Sequence, residues 1–241
     1  MSSMEKLKYG SEELGLHLNT GQLEQFEIYY KELIVWNRKM NLTSITDYEE
    51  VQVKHFLDSL TVTLAMRAPF KSVNAIDIGT GAGLPGVPLK IIKPDISLVL
   101  LEATGKKARF LNHLVTALAL EDVEIAVGRA EEVAHDIQYR ENFDIVLSRA
   151  VASLPTLVEL TLPFCAVGGS LIAQKKGDIQ KEVEQSNEAI NKMGGYLREI
   201  KPVGLEALND SRYLIVIDKV NPTPEKYPRR PGIPAKRPII S

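Results

Sequence analysis

The feature that most constrains this chain is a change of rhythm after residue 70. From there to residue 176, short apolar runs rich in Val, Ile and Leu alternate with helical segments. The runs 73–79 (VNAIDIG), 96–102 (ISLVLLE), 123–128 (VEIAVG), 143–150 (FDIVLSRA) and 169–176 (GSLIAQKK) read as strands. Their near-continuous apolar character fits strands covered on both faces, as in a parallel sheet. Helical segments lie between them, most clearly over 106–120 and 178–193. This alternation predicts a doubly wound α/β sheet. Two further runs, 195–204 and 211–220, follow each other with no helix between them and predict an antiparallel pair at the sheet edge. The expected fold class is therefore α/β, with seven mostly parallel strands.

Residues 1–70 read instead as a helical extension. Asn19 or Thr20 can cap a helix carrying Leu23, Phe26, Tyr30, Leu33 and Ile34 at helical spacing, with a stop near Asn41. Asp47 with Glu50 resembles a capping box ahead of Val51, His55, Leu57, Leu60 and Leu64. Pro69 marks a break. The expected division is 1–70 helical, 71–220 a ligand-binding α/β domain, and 221–241 a tail. That tail holds six of the 13 prolines and five cations, Lys226, Arg229, Arg230, Lys236 and Arg237, against the single acid Glu225. It is expected to form no regular element and to contact phosphate. Lys175 and Lys176, ending the fifth strand, join these as candidate RNA contacts.

Several classes are disfavoured. No apolar run approaches the roughly 20 residues of a membrane helix, and the first residues carry no apolar leader, so a soluble, cytoplasmic protein is expected. Cys165 is the only cysteine, which forbids an internal disulfide and a cysteine-only metal site. His17, His55, His113 and His135 show no metal spacing, and no metal is expected. Trp36 and Phe26 read as core. His55 and Asp58, three apart, read as a hydrogen-bonded pair supporting a domain interface, or as the lining of a substrate entrance.

The stretch DIGTGAGLPG (77–86) ends the first strand and opens a helix. Glycines let a ligand approach the backbone, and a helix N-terminus offers free N–H groups. Gly81, Gly83 and Gly86 fit the dinucleotide pattern G-x-G-x-x-G, a weak signal alone. Gly79, Gly81 and Gly83 fit the tighter G-x-G-x-G, with Asp77 two residues ahead. A carboxylate at the mouth would repel a pyrophosphate but suits a ligand with an ammonium group. S-adenosyl-L-methionine has that group and no phosphate. Glu102 ends the second strand, where a ribose-binding acid belongs. Gly128-Arg129-Ala130-Glu131 follows the third, where an adenine could be gripped.

Together with WNRKMNLTSI (36–45), HFLDSL (55–60), GRAEE (128–132), SRAVASL (148–154) and KYPRRPGIPAKRPI (226–239), this turn resembles the RsmG (GidB) family over nearly the whole chain. Those are bacterial 16S rRNA guanine-N7 methyltransferases with a class I, Rossmann-like fold. The resemblance implies S-adenosylmethionine contacts at Gly79, Leu84, Ala130, Glu131 and Arg149, and a target guanosine in the 530 loop of small-subunit RNA. Leu84 stands where the family commonly has a bulkier aromatic.

The residues are compatible with that chemistry. Cytosine or uracil C5 methylation needs a cysteine nucleophile, and Cys165 reads as a buried apolar residue. Amine methyltransferases of this fold usually carry an Asn/Asp-Pro-Pro-aromatic turn, whereas 148–151 reads Ser-Arg-Ala-Val. Guanine N7 has an exposed lone pair and needs no base. Arg149 cannot hold N7 in the reactive complex, because a donor there would occupy the attacking electron pair. It is a candidate to orient cofactor or base, or to form a structural ion pair. Two alternatives remain at this point: an NAD-dependent oxidoreductase, and a non-enzymatic RNA-binding assembly factor with a relic pocket.

Overall fold

The computed structural model describes residues 4–67 and 73–241. The break expected at Pro69 lies outside them. Helix α1 (Glu5–Glu13) is followed by α2 (Thr20–Met40). Asn19 caps α2 reciprocally: its side chain accepts from Gln22 N, and the Gln22 side chain accepts from Asn19 N. Asn41, at φ 51°, ends it in the left-handed region. In α3 (Tyr48–Val51), Asp47 accepts from the N–H groups of Glu49 and Glu50. The box is not reciprocal, because Glu50 pairs with Lys54 one turn on. A π-helical turn, Gln52–Leu57, leads directly into α4 (Asp58–Leu60).

The alternating part follows as β1 (Asn74–Ile78), α5 (Gly86–Ile92), β2 (Ser97–Glu102), α6 (Gly105–Ala117), β3 (Val123–Val127), α7 (Ala130–Val133), β4 (Phe143–Arg149), α8 (Leu154–Thr161) and β5 (Cys165–Lys176). Then come α9 (Gln180–Lys192), β6 (Gly195–Val203), β7 (Arg212–Lys219) and α10 (Ile233–Lys236). The seven strands form one sheet in the order β3-β2-β1-β4-β5-β7-β6. Strands β1 to β5 pair in parallel, and β7 runs antiparallel to both of its neighbours.

Two apolar layers sandwich this sheet. One joins Phe26, Tyr29, Leu33 and Phe56 of the helical region to Leu100 and Ile172 of the sheet. Phe56 packs on Phe26 and Tyr29 with centroids 5.0 and 4.9 Å away. At roughly 1.5–3 kcal/mol per fully buried apolar side chain, this layer fastens the helices to the strands. The other lies under α8 and α9 and includes Val146, Leu171 and Ile215.

The expectation of a tail without regular structure is corrected. It forms α10, and Tyr227 and Ile239 enter the second layer. Arg140 donates to the carbonyls of Thr223, Pro224 and Tyr227. The physical reason is Glu159, a fully buried carboxylate on the otherwise uncharged α8. A buried charge needs a partner, and Arg229 supplies it: Nε lies 2.9 Å from Oε1 and Nη2 lies 2.6 Å from Oε2.

Candidate active site

The glycine turn leaves β1 where the strand order reverses, between β2 and β4, which is where open α/β sheets hold their ligands. Gly79, Gly81 and Gly83 have φ of 69°, 61° and 93°. Their bareness serves different ends. A Cβ on Gly81 would meet only the Gly79 carbonyl oxygen at 3.9 Å, so that side of the turn is open ground. A Cβ on Gly83 would strike Val87 at 2.8 Å and the Tyr29 hydroxyl at 2.9 Å, and one on Gly86 would strike Leu100 at 2.8 Å. Those two positions are bare because α5 closes on the core. Leu84 likewise packs against the core, at 5% exposure.

Asp77 is fully buried, and its Oδ1 has no hydrogen-bond partner among the described residues. Its Oδ2 accepts from Thr80 Oγ1 at 2.6 Å and from Gly86 N at 2.8 Å, bracing the turn from beneath and capping α5. Burial pushes its carboxyl up to about 6, against the pull of those hydrogen bonds. Glu102 stands nearer the open side. Its Oε2 accepts from Gly81 N at 3.1 Å and its Oε1 from Thr104 N at 2.8 Å. Both oxygens keep lone pairs for hydroxyl donors. Ala130 opens α7, and Glu131 accepts from Gly232 N of the tail at 3.0 Å. An open glycine backed by an acceptor-only carboxylate fits a nucleoside with a ribose diol.

Arg149, at the end of β4, precedes Ala150 in the left-handed region at φ 56°. Its Nη1 lies 3.0 Å from Asp58 Oδ2, and Arg212 Nη1 reaches the same oxygen at 3.0 Å. Asp58 is buried. Desolvation pushes its carboxyl upward while the two guanidiniums pull it down, and the net direction is up. The expected His55–Asp58 hydrogen bond is corrected, since each side chain turns to other partners. His55 Nδ1 lies 3.2 Å from the Lys54 carbonyl, which can only accept, so Nδ1 carries the proton. Thr43 Oγ1 then donates to Nε2 at 2.7 Å. Burial, reinforced by Arg149, lowers His55 to about 4, so the ring is neutral at pH 7.

His55, Asp58, Arg149, Gln174, Lys176 and Arg212 line one cleft of about 420 Å³. A hollow of about 700 Å³ lies at the amino ends of β1 and β2, across the sheet from the turn, and its lining contains no Lys, Arg or His. Of the cations expected to meet RNA, two are committed internally. Lys175 donates to the Ala152 carbonyl and to Glu182, and Arg229 to Glu159. Lys176, Lys226, Arg230, Lys236 and Arg237 are exposed. Sequence reasoning missed Arg212 and Gln174. A buried acid on an apolar helix face, Asp58, was the available signal that a distant cation must exist. Among the described residues no three His, Cys, Asp or Glu gather as a metal site, and no helix is long and apolar enough to cross a membrane.

A glycine turn at the switch point of a seven-stranded sheet with β7 reversed is a Rossmann-like α/β architecture. Solved structures share this fold. A SAM-dependent methyltransferase from Aquifex aeolicus superposes with a TM-score of 0.54 at 13% identity, covering 75% of this chain and 97% of that one. Precorrin-6y C5,15-methyltransferase from Geobacter metallireducens gives 0.51 at 15% identity, covering 73% and 90%. The chain belongs to the rRNA small subunit methyltransferase G family, whose sequence model matches residues 22–209. Ribosomal RNA small subunit methyltransferase G of Dehalococcoides mccartyi strain CBDB1 is 52% identical, covering 98% of this chain and all of the relative. The protein of that name from Roseiflexus castenholzii is 49% identical over 94% of this chain and 95% of its own. Family membership sets aside the dinucleotide-oxidoreductase reading.

Proposed function

We propose that this chain transfers the methyl group of S-adenosylmethionine to N7 of a guanosine in the 530 loop of 16S rRNA, directly and without a covalent enzyme intermediate. The observation that carries this reading is the continuity of two sites. Arg149 joins the open glycine turn to a cationic cleft, and Val151, just beyond it, lies against Gly79. Gly79, Gly81, Glu102, Ala130, Glu131 and Arg149 would hold the cofactor, with Asp77, Gly83 and Leu84 shaping the turn from below. When bound, S-adenosylmethionine supplies a methyl group already activated by its sulfonium. The protein's task is then alignment of the nucleophile with that methyl.

The groups present support this assignment. Cys165 is fully buried and its thiol is pushed up to about 12 by burial, so it is no nucleophile. His55 has both ring nitrogens engaged. A nucleophile that needs no deprotonation suits such a site. The exposed cations Lys176, Lys226, Arg230, Lys236 and Arg237 would follow the RNA backbone. In this reading 1–70 is a helical support for the cleft, 71–220 the catalytic domain and 221–241 a tail with an RNA-facing side, and the protein works in the cytoplasm.

The test incubates the chain with labelled S-adenosylmethionine and either 30S subunits or protein-free 16S rRNA from a strain lacking this activity. Label recovered as N7-methylguanosine in the 530 loop is the expected result, and the better of the two substrates identifies the assembly stage. Label at another atom, or none with either substrate, overturns the proposal, and the latter outcome supports a non-enzymatic assembly factor.

A further inference from the structure

One polar atom in the cleft is left over. Gln174 Nε2 donates to the Asp58 carbonyl at 2.6 Å and to Thr61 Oγ1 at 3.1 Å. The orientation of this amide is forced: a backbone carbonyl can only accept, so the NH₂ must face it. Gln174 Oε1 therefore points away from α4. It is buried, at 7% exposure for the residue, and has no hydrogen-bond partner among the described residues. A desolvated acceptor without a donor is destabilising. The two guanidiniums of the cleft, Arg149 and Arg212, are turned to Asp58 instead. This is an acceptor waiting for a donor that none of the described residues provides.

The sheet shows where that donor would lie. Gln174 sits beside Arg149 across the β4–β5 register, and Lys176 sits beside Arg212 across β5–β7. Residues at paired positions share a face, so Arg149, Gln174, Lys176 and Arg212 all look into the cleft. From the glycine turn outward the order is β1, β4, β5. Laterally this runs from the open turn, to the Arg149 cation, to the Gln174 acceptor. The edge of guanine reads in the same order: N7, then the O6 acceptor, then the N1–H and N2 amine donors.

We infer that Gln174 is a specificity-determining residue, whose Oε1 accepts from the N1–H and N2 amine of the target guanine. This rests on guanine N7 being the methylated atom. Arg149 retains Nε and Nη2 beyond its bond to Asp58 and meets O6 from the neighbouring strand. Reading the base from its Watson–Crick edge holds it in place while leaving the N7 lone pair free to attack. A donor aimed at N7 itself would block the reaction. Adenine presents the opposite arrangement, an amine toward Arg149 and a bare N1 toward Gln174, and both contacts turn unfavourable.

The test compares wild type with Gln174→Met, a change of similar volume that removes the amide. Substrates are the better of the two forms above, 30S subunits or protein-free 16S rRNA, assembled with RNA carrying guanosine at the target, and the same form with inosine there, which keeps O6 and N1–H but lacks the N2 amine. The wild type should prefer guanosine by about tenfold or more in kcat/KM, as sites built around a substrate N–H do. Gln174→Met should lose about tenfold or more on guanosine and discriminate less than about threefold against inosine. The ratio of two substrates on one variant cancels any loss of folded protein, and S-adenosylmethionine affinity and melting temperature report the fold independently. A wild type indifferent to inosine, or a variant that keeps the full preference, overturns the inference. A wild type that never methylates N7 overturns the underlying reading instead.

Discussion

At Gly81 the backbone is left-handed and its outer side is open. Gly81→Val would fill that opening and strain the chain by about 1–3 kcal/mol. Gly15, at φ 72° and with no atom within 4 Å of where a Cβ would stand, isolates the strain alone. Calorimetry should therefore find S-adenosylmethionine affinity lost in Gly81→Val and retained in Gly15→Val, with comparable losses of stability. Equal affinity in both would mean that the turn does not hold the ligand. His55 carries a pH signature. It titrates at about 4 when folded and at 6.5 ordinarily. Between those values the unfolded chain binds more protons, so the neutral ring's contribution is complete above pH 6.5 and drains as the pH falls toward 4. Asp77, raised from 3.8 to about 6, acts in the opposite sense over an overlapping window. Wild type measured against His55→Gln subtracts that second effect. Urea titrations should show wild type losing stability relative to the variant on acidification, by up to about 1.4 kcal/mol per pH unit. A constant difference would mean that His55 is not held neutral. The chemistry of these two residues differs in legibility. The turn was readable because glycine at fixed spacing has few other uses, whereas the partners of His55 depend on a helix that switches to π geometry at Gln52–Leu57, which periodicity does not announce.

Among elements, α8 shows how one charge organises distant chain. Its sequence LPTLVELT carries no charge except Glu159, and the tail is pinned there through Arg229, 70 residues away. Arg229→Met would leave a fully buried carboxylate unpaired and should cost on the order of 3 kcal/mol. Chemical denaturation measures this, and a second change, Glu159→Leu, should restore most of the loss. If the single variant is as stable as wild type, the tail is not anchored by this pair. The strands β1 to β4 were legible to within two residues because each is an apolar run bounded by turn residues. β5 starts earlier than its apolar run does, at Cys165, because Cys165 pairs with Phe143 before an irregularity in the β4–β5 register. The tail was misread for a different reason. Proline content argues against ladders of hydrogen bonds, but says nothing about a carboxylate that needs an arginine.

For the whole molecule, charge and shape divide the tail into two sides. Arg229 faces inward, while Lys226, Arg230, Lys236 and Arg237 are exposed. Removing the entire tail would also strip Tyr227 and Ile239 from the core, so truncation would confuse binding with folding. Changing the four exposed cations to Gln keeps the anchor. RNA affinity should fall, and its dependence on log salt should flatten by about 0.7–0.9 for each phosphate no longer neutralised. An unaltered slope would mean that the tail does not touch RNA. The cleft itself draws on distant parts of the chain, because Asp58 is joined to Arg149 and Arg212 at once, and 154 positions separate Asp58 from Arg212. A polypeptide still emerging from its ribosome can form the glycine bend early, yet until β7 has been made one side of Asp58 has no counter-charge and the pocket lacks a wall. Competence to grip a nucleotide is therefore among the last properties the growing protein acquires.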